Sequence, residues 1–174
     1  MPLNPKPFKI ILLVLFITAS ILNSNAQEKG DPPSVKPGLE IKRSELIKRI
    51  TESDSTMMFK RYGDVNGKPN FIGIAADKTS LQLVGEEDYL VLAKWNYPFT
   101  MNKEQGKQAF LRMEFFALVM GEKAGYEWLL NCAAEFIKAP AREFTDTKTF
   151  NFNRKGTFTY KPEAKALVLS FTEW

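Results

Sequence analysis

The chain has 174 residues, 24 Lys and Arg against 20 Asp and Glu, one Cys and no His, and 44% of its residues are hydrophobic. This length suits a single domain, and the apolar fraction excludes disordered, collagen-like and disulfide-scaffold classes. Without His there is no His general base, His metal ligand or Ser–His or Cys–His nucleophile pair, and one Cys excludes an intramolecular disulfide and a multi-thiolate metal cage.

The N-terminus has the pattern of an export signal. Lys6 and Lys9 precede the apolar run from Ile10 to Ile17, and Ser24-Asn25-Ala26 places small residues where a signal peptidase reads them. Cleavage is therefore expected before Gln27, with residues 1–26 as the signal peptide. The apolar stretch, from about residue 8 to residue 22, is shorter than the ~20 residues a spanning helix needs, so no stable membrane span is expected after cleavage. The lone Cys132 lies far from this stretch, which excludes acylation there, and no Asn-x-Ser/Thr acceptor occurs. The expected location is periplasmic or secreted, in a bacterial source. Removing residues 1–26 takes away two Lys and no acids, leaving 22 basic against 20 acidic side chains. That mixed balance, with no long basic tract, speaks against a nucleic-acid partner.

Residues 27–40 hold Gly30, Pro32, Pro33, Pro37 and Gly38 and read as a flexible tether, leaving 41–174 as one domain. From Ile41 to about Glu52, Leu46, Ile47 and Ile50 recur at helical spacing, which predicts a short amphipathic helix. Met57-Met58-Phe59 is expected to dock beside it, and Gly63, Asn66-Gly67 and Pro69 mark a turn-rich entry. Strands are expected at 71–76, 80–84 and 89–97, the last with Tyr89, Val91, Ala93, Trp95 and Tyr97 on one face. The short turns between them make these strands antiparallel.

Residues 103–120 and 126–138 read as helix, the first stretch mostly apolar, with Gly121 and Gly125 between them marking a break. Strands resume with Phe150 and Phe152 alternating with Asn151 and Asn153, then a turn at Lys155-Gly156 into Thr157–Tyr160, then Ala166–Phe171. The pattern predicts an α+β fold. It has an antiparallel sheet of about five strands, two helices or one broken helix packed on one face, and a short N-terminal helix in front.

Few residues carry a chemical signature. Glu86-Glu87-Asp88 is a run of acids that turns commonly hold in solvent, and it lacks calcium-loop spacing. Cys132 sits among Trp128 and Phe136 with no base nearby and reads as a packed thiol. No phosphate-binding glycine loop and no Gly-x-Ser-x-Gly elbow occurs. Tyr89, Trp95 and Tyr97 combine apolar bodies with polar tips that suit a ligand wall, with Asn151, Asn153 and Arg154 as polar partners. Neither a catalytic set nor a metal set is identifiable, and no cofactor is implied. The expected function is a small exported, non-enzymatic protein binding a partner protein or small apolar ligand. The alternatives are a His-free carboxylate-dependent hydrolase and a structural accessory subunit of an envelope assembly.

Overall fold

A computed structural model describes residues 38–98, 103–140, 142–151 and 153–173. The expected signal peptide and the tether as far as Pro37 lie outside the described residues. The end of the tether stretch is packed: Leu39 is fully buried and its N–H donates to the Leu90 carbonyl at 2.7 Å.

In chain order the elements are α1 (Arg43–Ser53), β1 (Met58–Val65), β2 (Lys68–Ile74), β3 (Ser80–Glu86), β4 (Tyr89–Pro98), α2 (Lys103–Lys138), β5 (Phe144–Phe150), β6 (Arg154–Lys161) and β7 (Ala166–Glu173). The strands form one antiparallel sheet in the order β1-β2-β3-β4-β7-β6-β5. The first four strands form a meander. The last three return after α2, so that β7 closes against β4 and both edges are outlying hairpin strands.

This corrects the expectation of an antiparallel sheet of about five strands with two helices, or one broken helix, behind a short leading one. The described residues hold seven strands and two helices in all, α1 and a single kinked α2. The two strands that the hydrophobic pattern missed, β1 and β5, are the sheet's edges. The turn-rich entry at 63–69 is a hairpin: Asn66 (φ 52°) and Gly67 (φ 72°) supply the two positive φ values of its tight turn. Its register shifts between Tyr62 and Val65, opposite Pro69, which has no N–H to donate to the ladder.

Two further turn assignments change. Phe150 ends β5, paired with Arg154, and Asn151 (φ 49°) and Asn153 lie in the turn of the β5–β6 hairpin rather than in a strand. Gly156 lies inside β6, and an added Cβ there would stand 2.7 Å from the Phe150 ring and 2.9 Å from the Trp128 ring. It is Gly because two aromatic rings lie against its backbone, not because the chain turns.

Both helices belong to one core. Leu46 and Ile50 of α1 and Met113, Phe116 and Met120 of α2 join Leu81, Leu83, Trp95, Leu169 and Phe171 in a single buried cluster. Trp95 stacks on Phe116 with centroids 5.6 Å apart, and Phe116 meets Phe171 edge-on at the same separation. The opposite sheet face carries the row Lys60, Ile72, Gln82, Lys94, Ser170, Thr157 and Thr147, mostly polar, with the exposed Met58, Tyr62 and Ile74 at its β1–β2 end. Helix α2 breaks at Glu122 (φ 54°, ψ −154°), between Gly121 and Gly125, into two segments. The carbonyl of Met120, just before that break, accepts a 2.7 Å hydrogen bond from Arg154 Nη1. No helix among the described residues is long and apolar enough to cross a membrane.

Candidate functional site

The densest polar constellation lies where the end of α1, the β2–β3 turn and the first segment of α2 meet. Arg112 of α2 points into the fold rather than away from it. Its Nη1 stands 3.2 Å from Asp54 Oδ2 and 2.6 Å from Asp77 Oδ2, and it also reaches the Thr79 hydroxyl at 3.3 Å. Asp54 follows α1 directly, and its Oδ1 accepts from the backbone N–H and the hydroxyl of Thr56. Asp77 Oδ1 accepts in the same way from the N–H and hydroxyl of Thr79, two Asx-type turns facing one guanidinium. Asp54 Oδ2 makes no directed hydrogen bond, so its link to Arg112 is ionic. Burial pushes the Asp77 carboxyl up, but the Thr79 hydrogen bonds and Arg112 outweigh it and hold its pKa below the usual carboxylate value. Asp77 therefore stays ionised at neutral pH and is unsuited to act as a general acid.

Above Arg112 opens a shallow depression of about 220 Å³ lined by Ser53, Gln108, Leu111, Arg112 and Phe115. Leu111 and Leu118 are 46% and 45% exposed, and with the half-buried Phe115 they follow i, i+4, i+7 spacing along one face of α2. This segment is thus apolar on two sides, one facing the sheet and one facing outward.

The six residues singled out in the sequence are spread over the fold. Trp95 is buried against Phe116 and Tyr97 is nearly so, its hydroxyl donating to the Gly106 carbonyl at 3.1 Å. Burial, with the Asp77 charge adding to it, pushes the Tyr97 phenol up. Tyr89 does not join them. The β3–β4 register shifts between Val84 and Gly85, so Val91 is an extra residue and the alternation from Tyr89 to Tyr97 is broken. Leu90 instead takes the core position, fully buried. The Tyr89 hydroxyl donates to Glu173 at 2.9 Å, a bond that raises its pKa, and Lys68 lies 4.6 Å over its ring. Asn151 and Asn153 lie in the β5–β6 turn, with Asn153 Nδ2 reaching the Gly38 carbonyl at 3.5 Å. Arg154 serves the α2 break. The structure brings Tyr97 close to the Arg112 constellation and leaves the other five elsewhere.

The acidic turn has a structural role. Glu87 accepts the Ser44 N–H at 3.0 Å and pairs with Arg43 at 3.1 Å, while Asp88 pairs with Lys42 at 3.1 Å. Lys42 caps α1 with no side-chain hydrogen bond, so a residue distant in sequence supplies the missing acceptor. The Ser44 hydrogen bonds in turn hold the Glu87 carboxyl below its usual range.

Cys132 is buried, and its thiol donates to Asp146 at 3.6 Å. Burial, followed by the Asp146 charge and this hydrogen bond, pushes it up to about 12. A thiolate is the reacting species. The folded protein at pH 8 should therefore leave Ellman's reagent unreduced over the time in which the urea-unfolded chain releases one equivalent of chromophore. Rapid labelling of the folded state would refute this burial.

Sequence reasoning missed Arg112, Asp54, Asp77 and Thr79, which lie in three separate elements. A weak signal was present: Arg112 interrupts the apolar run of the helix at 110–120. Among the described residues, no group of three or more His, Cys, Asp or Glu converges as a metal set. No protein-family model, curated protein or solved structure matches the chain.

Proposed function

We propose that the chain is a small exported, non-enzymatic protein that binds a partner protein through the outer face of the first α2 segment. The observation that carries this reading is the Leu111–Phe115–Leu118 stripe beside the depression over Arg112. Small-molecule sites enclose roughly 300–1,000 Å³ and bury most of their ligand. A depression of about 220 Å³ flanked by exposed leucines suits an apolar side chain presented by a protein better than an enclosed small ligand. Arg112, held by two carboxylates, gives that surface a rigid polar floor whose charge is already paired. The signal-like N-terminus supports export, and docking of a larger envelope component onto the same stripe would make the chain an accessory subunit. A carboxylate hydrolase is less well supported, because Asp54 and Asp77 both face Arg112 rather than an open cleft.

Photo-crosslinking in intact cells tests this reading. A benzophenone side chain at position 111 or 118 should give one discrete adduct, abolished by Phe115→Asp and absent when the probe stands at Lys60 on the open sheet face. The envelope fraction should hold a chain that begins at Gln27. Equal adducts from both faces, none from α2, or a chain retaining Met1 would overturn the proposal.

A further inference from the structure

Strand β5 is an edge: it pairs with β6 on one side and, among the described residues, has no strand on the other. The two edges of the sheet differ in kind. Strand β1 carries a register shift and the charged residues Lys60, Arg61 and Asp64, features that discourage further pairing. Strand β5 has neither bulge nor proline, and all seven residues pair in unbroken register from Phe144↔Tyr160 to Phe150↔Arg154. Its Thr145, Thr147, Lys148 and Thr149 are exposed.

The sequence of this strand, Phe-Thr-Asp-Thr-Lys-Thr-Phe, reads the same in both directions except that Asp146 and Lys148 exchange. Placed antiparallel to itself about a two-fold axis at Thr147, it sets Phe144 against Phe150, Thr145 against Thr149, and Asp146 against Lys148 of the second copy. Both opposite-charge pairs form at once. Sliding by two residues in either direction sets Asp146 against Asp146 or Lys148 against Lys148, and like charges directly opposite are unfavourable. An odd slip would put the helices of the two copies on opposite faces. The charge pattern thus selects one register. Within its own chain Lys148 makes no ion pair among the described residues; its ammonium lies 5.5 Å from the Phe150 ring centroid.

We propose that two copies of this chain associate through β5, antiparallel about Thr147, to form one continuous sheet with the helices of both copies on the same side. The interface is isologous and closed, so it caps the exposed edge without propagating into a fibre. It lies on β5 and is independent of the α2 stripe.

Sedimentation equilibrium of the purified chain tests this. The wild type should be a reversible dimer in the micromolar range. Lys148→Asp sets acid against acid at both pairs and should weaken it at least about tenfold. Thr147→Cys brings two thiols across the axis and should give a disulfide-linked dimer on mild oxidation, whereas Tyr62→Cys on the β1 edge should not. The buried Cys132 stays out of this reaction. A wild-type monomer at all concentrations, a Lys148→Asp chain that dimerises as the wild type does, or equal cross-linking from Tyr62→Cys would overturn the proposal. Should Lys148→Asp fail to fold, the cross-linking pair decides alone.

Discussion

Replacing Arg112 with Leu should destabilise the fold by about 2–4 kcal/mol at pH 7, read from the midpoint of urea unfolding. Removing one partner of a buried ion pair costs roughly 3–5 kcal/mol because the remaining charge is left in a poor solvent. Arg112 is still 22% exposed, so water screens part of that cost and the lower range applies. Two carboxylates, Asp54 at 7% and Asp77 at 9% side-chain exposure, would lose the same cation. The three groups join α1, the β2–β3 turn and α2, so the loss falls on contacts between elements rather than within one.

The pH dependence gives this prediction its sign. Asp77 has a folded pKa below its unfolded value, so its contribution is fully present above about pH 4 and is lost as the pH falls through the folded pKa. The gap between wild type and Arg112→Leu should accordingly narrow between pH 7 and pH 3. Adding Asp77→Asn to Arg112→Leu should recover part of the loss at pH 7 and none at pH 3. A gap of constant size across that range would mean that lost packing of the Arg112 stem, not its charge, is responsible.

How much of this was legible in the sequence depends on which face of an element carries its signal. Strands β3, β4 and β7 lie in the middle of the sheet, and their inward residues, such as Leu81 and Leu83 or Leu167, Leu169 and Phe171, alternate with polar ones. Strands β1 and β5 lie at the edges. Their inward positions include Arg61 on one and Asp146 and Lys148 on the other, so apolar alternation is absent even though the backbone is fully paired. In β5 the remaining signal was Thr at every second position, a β-branched pattern that suits a strand without a hydrophobic face. The bulge that separates Tyr89 from Trp95 leaves no mark in the hydrophobicity pattern, because it is set by pairing. The Arg112 constellation was hidden for a related reason: each member is an ordinary helix or turn residue, and only the tertiary fold places them within reach of one another.

That bulge is also where the fold tolerates substitution least. Gly85→Ala should cost about 3–5 kcal/mol, adding backbone strain to a steric conflict that the chain cannot relieve by rotating a side chain. Gly85 has φ +134°, and an added Cβ would stand 2.2 Å from the Tyr89 carbonyl oxygen and 2.7 Å from the Leu90 Cα. Both obstacles are backbone atoms of the paired strand. Gly67 provides the comparison, since it also has positive φ (+72°) but nothing within 4 Å of the added atom. Gly67→Ala should therefore cost only the conformational penalty, about 1–2 kcal/mol, and the difference between the two variants isolates the clash. Relief at Gly85 would require β3 and β4 to part. The Gly85 carbonyl accepts from Arg43 Nη1 at 2.9 Å, and Glu87, two residues on, accepts the Ser44 N–H. Opening the bulge would thus release the N-terminus of α1 together with the turn. Hydrogen exchange should show the first turn of α1 losing protection in Gly85→Ala and keeping it in Gly67→Ala. Equal losses of stability in the two variants would show that positive φ alone, and not the close approach of β4, requires glycine at this position.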